Sequence, residues 1–300
     1  MPYTVKKIDI HVHSFIDYGM SLPFENGTVY ATYDDIRKKY DDWGIEYGIL
    51  LPLTKTECSI RAFSNEQAKY LADKHPDTFK WFMYLDPRMI HNSPTTDFTR
   101  VIEFFRSHGA LGVGEVAANL RFDDPLMDNM LYHINACKMP MTIHLAPDSA
   151  KYGYYGIRDE LGLPGLEKML KKYPDIKVLG HSQVFWAHMS ADVTEKEMDG
   201  YPKGKVAPDG RIAQLLREYP NLYCDMSAGS GFNAFERDTD HAYKFIEEFA
   251  DRLLFGTDIC CSHNFMPLSG WLDESLMNSC ISQENYNKIC RENAIKLLGL

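Results

Sequence analysis

The chain has 300 residues, of which 45% are hydrophobic and 25% charged, a balance that excludes a disordered segment and supplies the core of one large α/β domain. Its formal charge of -10 disfavours nucleic acid, which would be bound against the overall field. No run approaches the ~18 apolar residues of a membrane span and the first residues lead directly into a strand, so a cytoplasmic protein without membrane contact is expected.

In chain order the first strand is KKIDIHVH (6–13). Alternation along it puts Asp9, His11 and His13 on one face, expected toward a barrel interior, and Ile8, Ile10 and Val12 on the other, expected against helices. TYDDIRKKYDDWG (32–44) reads as a helix capped by Thr32 and stopped by Gly44. The strand IEYGILLPL (45–53), the helix NEQAKYLADKHP (65–76), the strand FKWFMYLDP (79–87) and the helix DFTRVIEFFRSHG (97–109), capped by Asp97 and ended by Gly109, come next. ALGVGEVA (110–117), MPMTIHLA (139–146), IKVLGHSQ (176–183), NLYCDMSA (221–228) and RLLFGTDI (252–259) are the remaining strands. Between them lie the helices DPLMDNMLYHINACK (124–138), LPGLEKMLKKYP (163–174), RIAQLLREYP (211–220) and HAYKFIEEFA (241–250).

Eight strands alternating with helices predict an α/β fold of the closed (β/α)8 TIM-barrel type, one domain over residues 1–300. A doubly wound sheet would need a Gly-rich phosphate turn after an early strand, and there is none. The longest irregular stretch, residues 184–210, is expected to be a functional loop over the barrel mouth. Seven cysteines without a CxxC pair predict reduced thiols, and the adjacent Cys260 and Cys261 read as small buried residues rather than a redox or metal pair.

His11 and His13 are weak evidence alone. Four other strand ends repeat the pattern, with Glu115 in GVGEV, His144 in MTIHL, His181 in VLGHS and Asp258 in FGTDI. Barrel closure would bring all six to one mouth, and imidazoles with carboxylates are the ligand set of a catalytic Zn2+ or a related divalent ion such as Mn2+. Each has a plainer reading: a satisfied core pair for the first two histidines, a cap for Asp258, support of a ligand for His144 and His181, a carboxylate held by neighbouring donors for Glu115.

IDIHVH, NEQAKYLADKHPDTFKWFMYLDP, IHL, LGHS, LLFGTDI and the closing ENAIKLLGL together resemble the amidohydrolase superfamily, in particular the amidohydrolase-related group that includes aminocarboxymuconate-semialdehyde decarboxylase-like proteins. The resemblance implies that His11, His13, His144 and Asp258 are metal ligands, and that His181 binds a second ion or polarises substrate. It also implies that Glu115 stands where some members have a bridging carboxylate, giving one or two ions per chain. At Glu115, and in HSQ where a glycine often follows the histidine, the chain departs from the usual decarboxylase pattern.

Hydrolysis of a small ester, lactone or amide by a metal-activated water is the leading expectation, with Asp258 moving the proton and His181 polarising the carbonyl. Non-oxidative decarboxylation of an aromatic or unsaturated acid is the second, and a non-catalytic binding barrel the third. Arg61, Arg88 and Arg121 follow strands two to four and are candidate clamps for a substrate carboxylate, while Tyr154, Trp186 and His188 are candidate substrate contacts; loop bracing and a packed lid are their plainer readings. The partner expected is a small-molecule substrate, and a homo-oligomer is compatible with the sequence.

Overall fold

The computed structural model describes residues 5–17, 19, 22–24, 26–54, 62–150 and 154–300. Its strands are β1 (Lys7–Val12), β2 (Ile45–Leu50), β3 (Phe79–Met83), β4 (Ala110–Val116), β5 (Met141–Pro147), β6 (Ile157–Asp159), β7 (Val178–His181), β8 (Leu222–Asp225) and β9 (Leu253–Leu254). The parallel order is β1-β2-β3-β4-β5-β7-β8-β9, with β6 paired to β5. The ring closes through the segment after β9: Ile10 N–H donates to Phe255 O (3.0 Å), Asp258 N–H to His11 O (2.7 Å) and His13 N–H to Ile259 O (2.8 Å). The fold is therefore the expected (β/α)8 barrel, and the eight predicted strands form its staves.

Helices α1 (Tyr33–Trp43), α2 (Asn65–Lys74), α3 (Thr99–Ser107), α4 (Pro125–Ala136), α5 (Pro164–Lys172) and α7 (Arg211–Glu218) cover the outside with α9 (Thr239–Phe249), all at predicted places. Local chemistry explains their ends. Asp35 reaches back to Thr32 N–H at 2.9 Å, and Gly44 closes α1 at φ 68°. Asp97 does not cap α3, whose cap position is Phe98, because the helix begins one residue later than the Asp97 reading requires.

The first strand departs from simple alternation. Ile8 and Ile10 pack with Ile49, Leu51, Phe82, Leu179 and Leu254, residues of strands on opposite sides of the ring that meet only in its interior. Asp9 instead faces α1, where Tyr40 Oη donates to Asp9 Oδ2 at 2.7 Å. Gly48, paired with Asp9 across β2, makes this approach possible: a Cβ there would sit 2.0 Å from Tyr40 Oη and 2.9 Å from Val12. The register shifts between Asp9 and Val12, and His11 N–H bends back to Asp9 Oδ1 at 3.1 Å. This irregularity corrects the expected facing: the isoleucines line the barrel, Asp9 and Val12 lie toward the helices, and only from His11 does the strand end turn polar groups inward.

Beyond prediction are β6, α6 (Gln183–Ala187), α8 (Ala228–Glu236), α10 (Leu268–Met277), α11 (Gln283–Asn287) and α12 (Asn293–Leu298), with a single π turn (Lys288–Glu292) between the last two. The sequence of α8, AGSGFNAFE, has poor helix propensity. Burial of Ser230, Gly231, Ala234 and Phe235 overrides it, and a Cβ at Gly231 would lie 2.2 Å from Met226 O, so glycine allows the close seating. Among the described residues no helix is long and apolar enough to cross a membrane.

Candidate metal centre

The six strand-end residues come together. Nε2 of His11 and His13 are 3.0 Å apart, and Asp258 Oδ1 lies 3.1 Å from the second and 3.5 Å from the first. Asp258 Oδ2 lies 3.7 Å from His181 Nε2, and His144 Nδ1 lies 2.5 Å from Glu115 Oε1. Three donor sets have ligand atoms within 4.8 Å of one another: His11 with His13 and Glu115, His11 with His181 and Asp258, and Glu115 with His144 and His181. All are buried except Asp258, whose side chain is 26% exposed.

The outward nitrogens of three rings are anchored. His13 Nδ1 meets Leu51 O at 2.7 Å, His11 Nδ1 meets Asp225 Oδ2 at 2.6 Å, and His181 Nδ1 meets Ser227 Oγ at 3.1 Å. Anchoring Nδ1 fixes each ring's plane and leaves Nε2 facing Asp258, the arrangement metal-binding histidines share. Asp225 and Ser227 escaped the sequence reading, although Asp225 ends the strand NLYCD and was a seventh strand-end carboxylate or histidine available to count.

A second buried network holds Asp258 in place. Asp9 Oδ1 accepts Thr257 N–H (2.8 Å) and Asp9 Oδ2 accepts Thr257 Oγ1–H (2.5 Å), tying β1 to the residue before Asp258. Asp258 itself has φ 54°, a left-handed conformation that costs a non-glycine residue about 1 kcal/mol or more and that the Thr257 bonds sustain.

Electrostatics favour a cation here. Burial opposes protonation of His11, but the carboxylates of Asp225 and Asp258 outweigh it and raise its pKa to about 10. Burial pushes His181 down to about 4, partly offset by Asp225. Burial likewise raises Asp9 to about 6, whereas the His11 and His13 rings hold Asp258 well below the usual carboxylate range against burial. The chain alone thus balances its buried carboxylates only by forcing a proton onto His11. A divalent cation among these nitrogen and oxygen donors removes that requirement, so the donor set fits one.

Four of the candidate substrate contacts have partners outside the six strand-end residues. Arg88 makes a two-pronged pair with Asp86, Nε to Oδ1 at 3.0 Å and Nη2 to Oδ2 at 2.9 Å. Arg121 is held by Asp148 at 2.8 Å and Glu160 at 2.7 Å, and Arg61 lies outside the described residues. Trp186 is buried with its Nε1–H on Asp225 O at 3.0 Å, so it braces the strand that carries Asp225. His188 is buried, with Nδ1 on Val184 O (2.7 Å) and Nε2 accepting Gly162 N–H (3.0 Å). Tyr154 is exposed, and its neighbour Tyr155 stands over His144 with ring centroids 4.4 Å apart.

The family model described as amidohydrolase matches residues 161–300. No curated protein matches the sequence. Among solved structures, the chain resembles an uncharacterised TIM-barrel protein from Bordetella bronchiseptica (TM-score 0.65, 18% identity, 98% of this chain and 99% of that one). It also resembles a dihydroxybenzoic acid decarboxylase from Polaromonas sp. with bound manganese and the inhibitor 2-nitroresorcinol (TM-score 0.58, 18% identity, 98% and 97%). A third is a probable 2-pyrone-4,6-dicarboxylic acid hydrolase from Acinetobacter baumannii with citric acid bound (TM-score 0.58, 14% identity, 99% and 100%). At these identities the likeness is one of fold.

Proposed function

We propose, for a chain whose residues 161–300 match the amidohydrolase family model, that the barrel mouth is the active site of a metal-dependent hydrolase cleaving a small ester, lactone or amide. The observation that carries this reading is the position of Glu115. It belongs both to a donor set with His11 and His13 and to one with His144 and His181, a place suited to a carboxylate shared by two cations.

In this reading His11, His13 and Asp258 would hold one divalent ion and His144 and His181 a second, with Glu115 within reach of both. Zn2+ suits such mixed nitrogen and carboxylate donors, and Mn2+ is the alternative suggested by the Polaromonas structure. When bound, such an ion supplies Lewis acidity and brings the pKa of a water from ~15.7 toward ~7. Asp258 is the site carboxylate that reaches solvent, so it takes the proton of the attacking water and returns it to the leaving group. Asp225, Ser227 and Leu51 O keep the imidazoles oriented, and Tyr155 shapes the wall beside His144.

A second reading, non-oxidative decarboxylation of an aromatic or unsaturated acid, draws on the activity named for the Polaromonas neighbour. It asks for a cationic clamp on the substrate carboxylate, and Arg88 and Arg121 are already paired with acids of their own. Metal content per chain separates the readings when combined with substrate panels of lactones, esters and hydroxybenzoates. Two equivalents that fall to one in Glu115→Gln, with lactone or ester cleavage, are expected. One equivalent unchanged by Glu115→Gln, with CO2 release from a hydroxybenzoate, would replace hydrolysis by decarboxylation.

A further inference from the structure

The two adjacent cysteines after β9 take no part in the chemistry above. Neighbouring residues of an extended chain send their side chains to opposite faces, yet Cys260 Sγ and Cys261 Sγ lie 3.6 Å apart. A tight turn brings them together: Asn264 Oδ1 accepts Cys260 N–H at 2.9 Å and Cys261 N–H at 2.6 Å. The turn is pinned along residues 29–31, with Ala31 N–H donating to Cys260 O at 2.9 Å and Ser262 N–H to Val29 O at 3.1 Å. Both cysteines are half-buried, whereas Cys137, Cys224 and Cys290 are buried, so the expectation of two small core residues is corrected. Their thiols sit on one side of a surface turn, two and three residues past Asp258.

We propose that Cys260 and Cys261 form a site of reversible oxidation that closes a disulfide between sequence neighbours when a peroxide reaches the barrel mouth. One thiol attacks the peroxide; the O–O bond breaks, the sulfur becomes a sulfenic acid and one water leaves. The second thiol attacks that sulfur; the S–O bond breaks, the S–S bond forms and a second water leaves. The chain loses two hydrogens, and the peroxide is reduced to water. A sulfur 3.6 Å away resolves the sulfenic acid before further oxidation does.

Reversibility follows from covalent geometry. Consecutive Cα atoms stand about 3.8 Å apart, less than the ~4.4 Å at which ordinary disulfides begin. A bridge between neighbours is strained, and a strained, accessible disulfide is readily reduced by a small thiol. The hydrogen bond between the two thiols also holds Cys261 below the ordinary thiol range, which favours it as the sulfur that reacts first. None of this depends on which reaction the metal centre performs.

The test uses mass spectrometry on the full chain. No lysine or arginine lies between Arg252 and Lys288, so in Cys280→Ser protein the tryptic peptide 253–288 carries only these two thiols. After hydrogen peroxide, the peptide is expected to lose two hydrogens and resist alkylation, then to take two alkyl groups once glutathione is added. With Cys260→Ser or Cys261→Ser added, the remaining cysteine is expected to go on to the sulfinic acid. Two alkylatable thiols remaining under peroxide that oxidises the exposed Cys280 of the unaltered chain would overturn the proposal. So would sulfinic acid formed in place of the disulfide when both cysteines are present.

Discussion

Two ionic clusters stand at opposite ends of β1, and they differ in whether the chain can satisfy them without an added ion. At the start of the strand Lys7 Nζ lies 2.8 Å from Asp273 Oδ1 and 3.0 Å from Oδ2, and also meets Trp43 O at 3.2 Å. Tyr286 Oη donates to Asp273 Oδ1 at 2.6 Å. One cation faces one anion and every donor has an acceptor, so this cluster is closed and its work is to seat the C-terminal helices under the barrel. At the other end Asp225, Asp258 and Glu115 converge on imidazoles whose inward nitrogens point at one another, and without an added cation the balance is met only by a proton held on His11. A closed cluster serves stability and an open one serves binding.

The largest effect that would break this contrast is on turnover. Asp258→Asn keeps the shape of the side chain but removes its charge and its capacity to accept a proton. Turnover on an identified substrate is expected to fall by about 10² to 10⁴, with metal content reduced and the denaturant midpoint of the metal-free protein little changed. Near-normal turnover would deprive Asp258 of its proton-transfer role. At the closed end the signature is reversed. Lys7→Met leaves the half-buried Asp273 without its cation and is expected to cost about 1 to 3 kcal/mol in urea unfolding, while metal equivalents per chain stay at the level of the unaltered protein. A Lys7→Met chain that lost metal before it lost stability would erase the distinction between the two ends.

Much of this plan is legible in the sequence because it is local. Runs such as IEYGIL and the Pro-ended helices carry their own signals, and the last polar residue of each strand faces the mouth whatever the loops do. The reversal of β1 was not legible, since Asp9 turns toward α1 only because Gly48, some forty positions on, leaves room for Tyr40 Oη. Nor was the seating of α8, where a glycine-rich stretch becomes helical by packing on Met226. The arginines illustrate the same limit: their partners Asp86, Asp148 and Glu160 are chosen by loop conformation, which no periodicity encodes. Asp225 is different, because its strand-end position was visible and only its anchoring role required the fold.

The smallest effect calibrates the pH axis on a carboxylate outside both clusters. Asp238 caps α9 and accepts Val206 N–H at 2.9 Å, with Lys205 Nζ at 2.9 Å. The Val206 bond, with help from Lys205, lowers its pKa to about 2, against 3.8 ordinarily. A depressed carboxylate binds its proton more weakly in the folded state than in the unfolded one. Its contribution is therefore complete above pH ~4 and is lost as pH falls through about 2. Lys205 is 76% exposed, so that pair adds little, and the backbone bonds dominate. Asp238→Ala is expected to cost about 1 kcal/mol at neutral pH, and the gap to the unaltered chain should close below pH ~4. A gap that stayed constant down to pH ~2 would mean that the capping geometry, not the charge, carries the stabilisation, and acid sensitivity would then have to be sought among the carboxylates of the mouth.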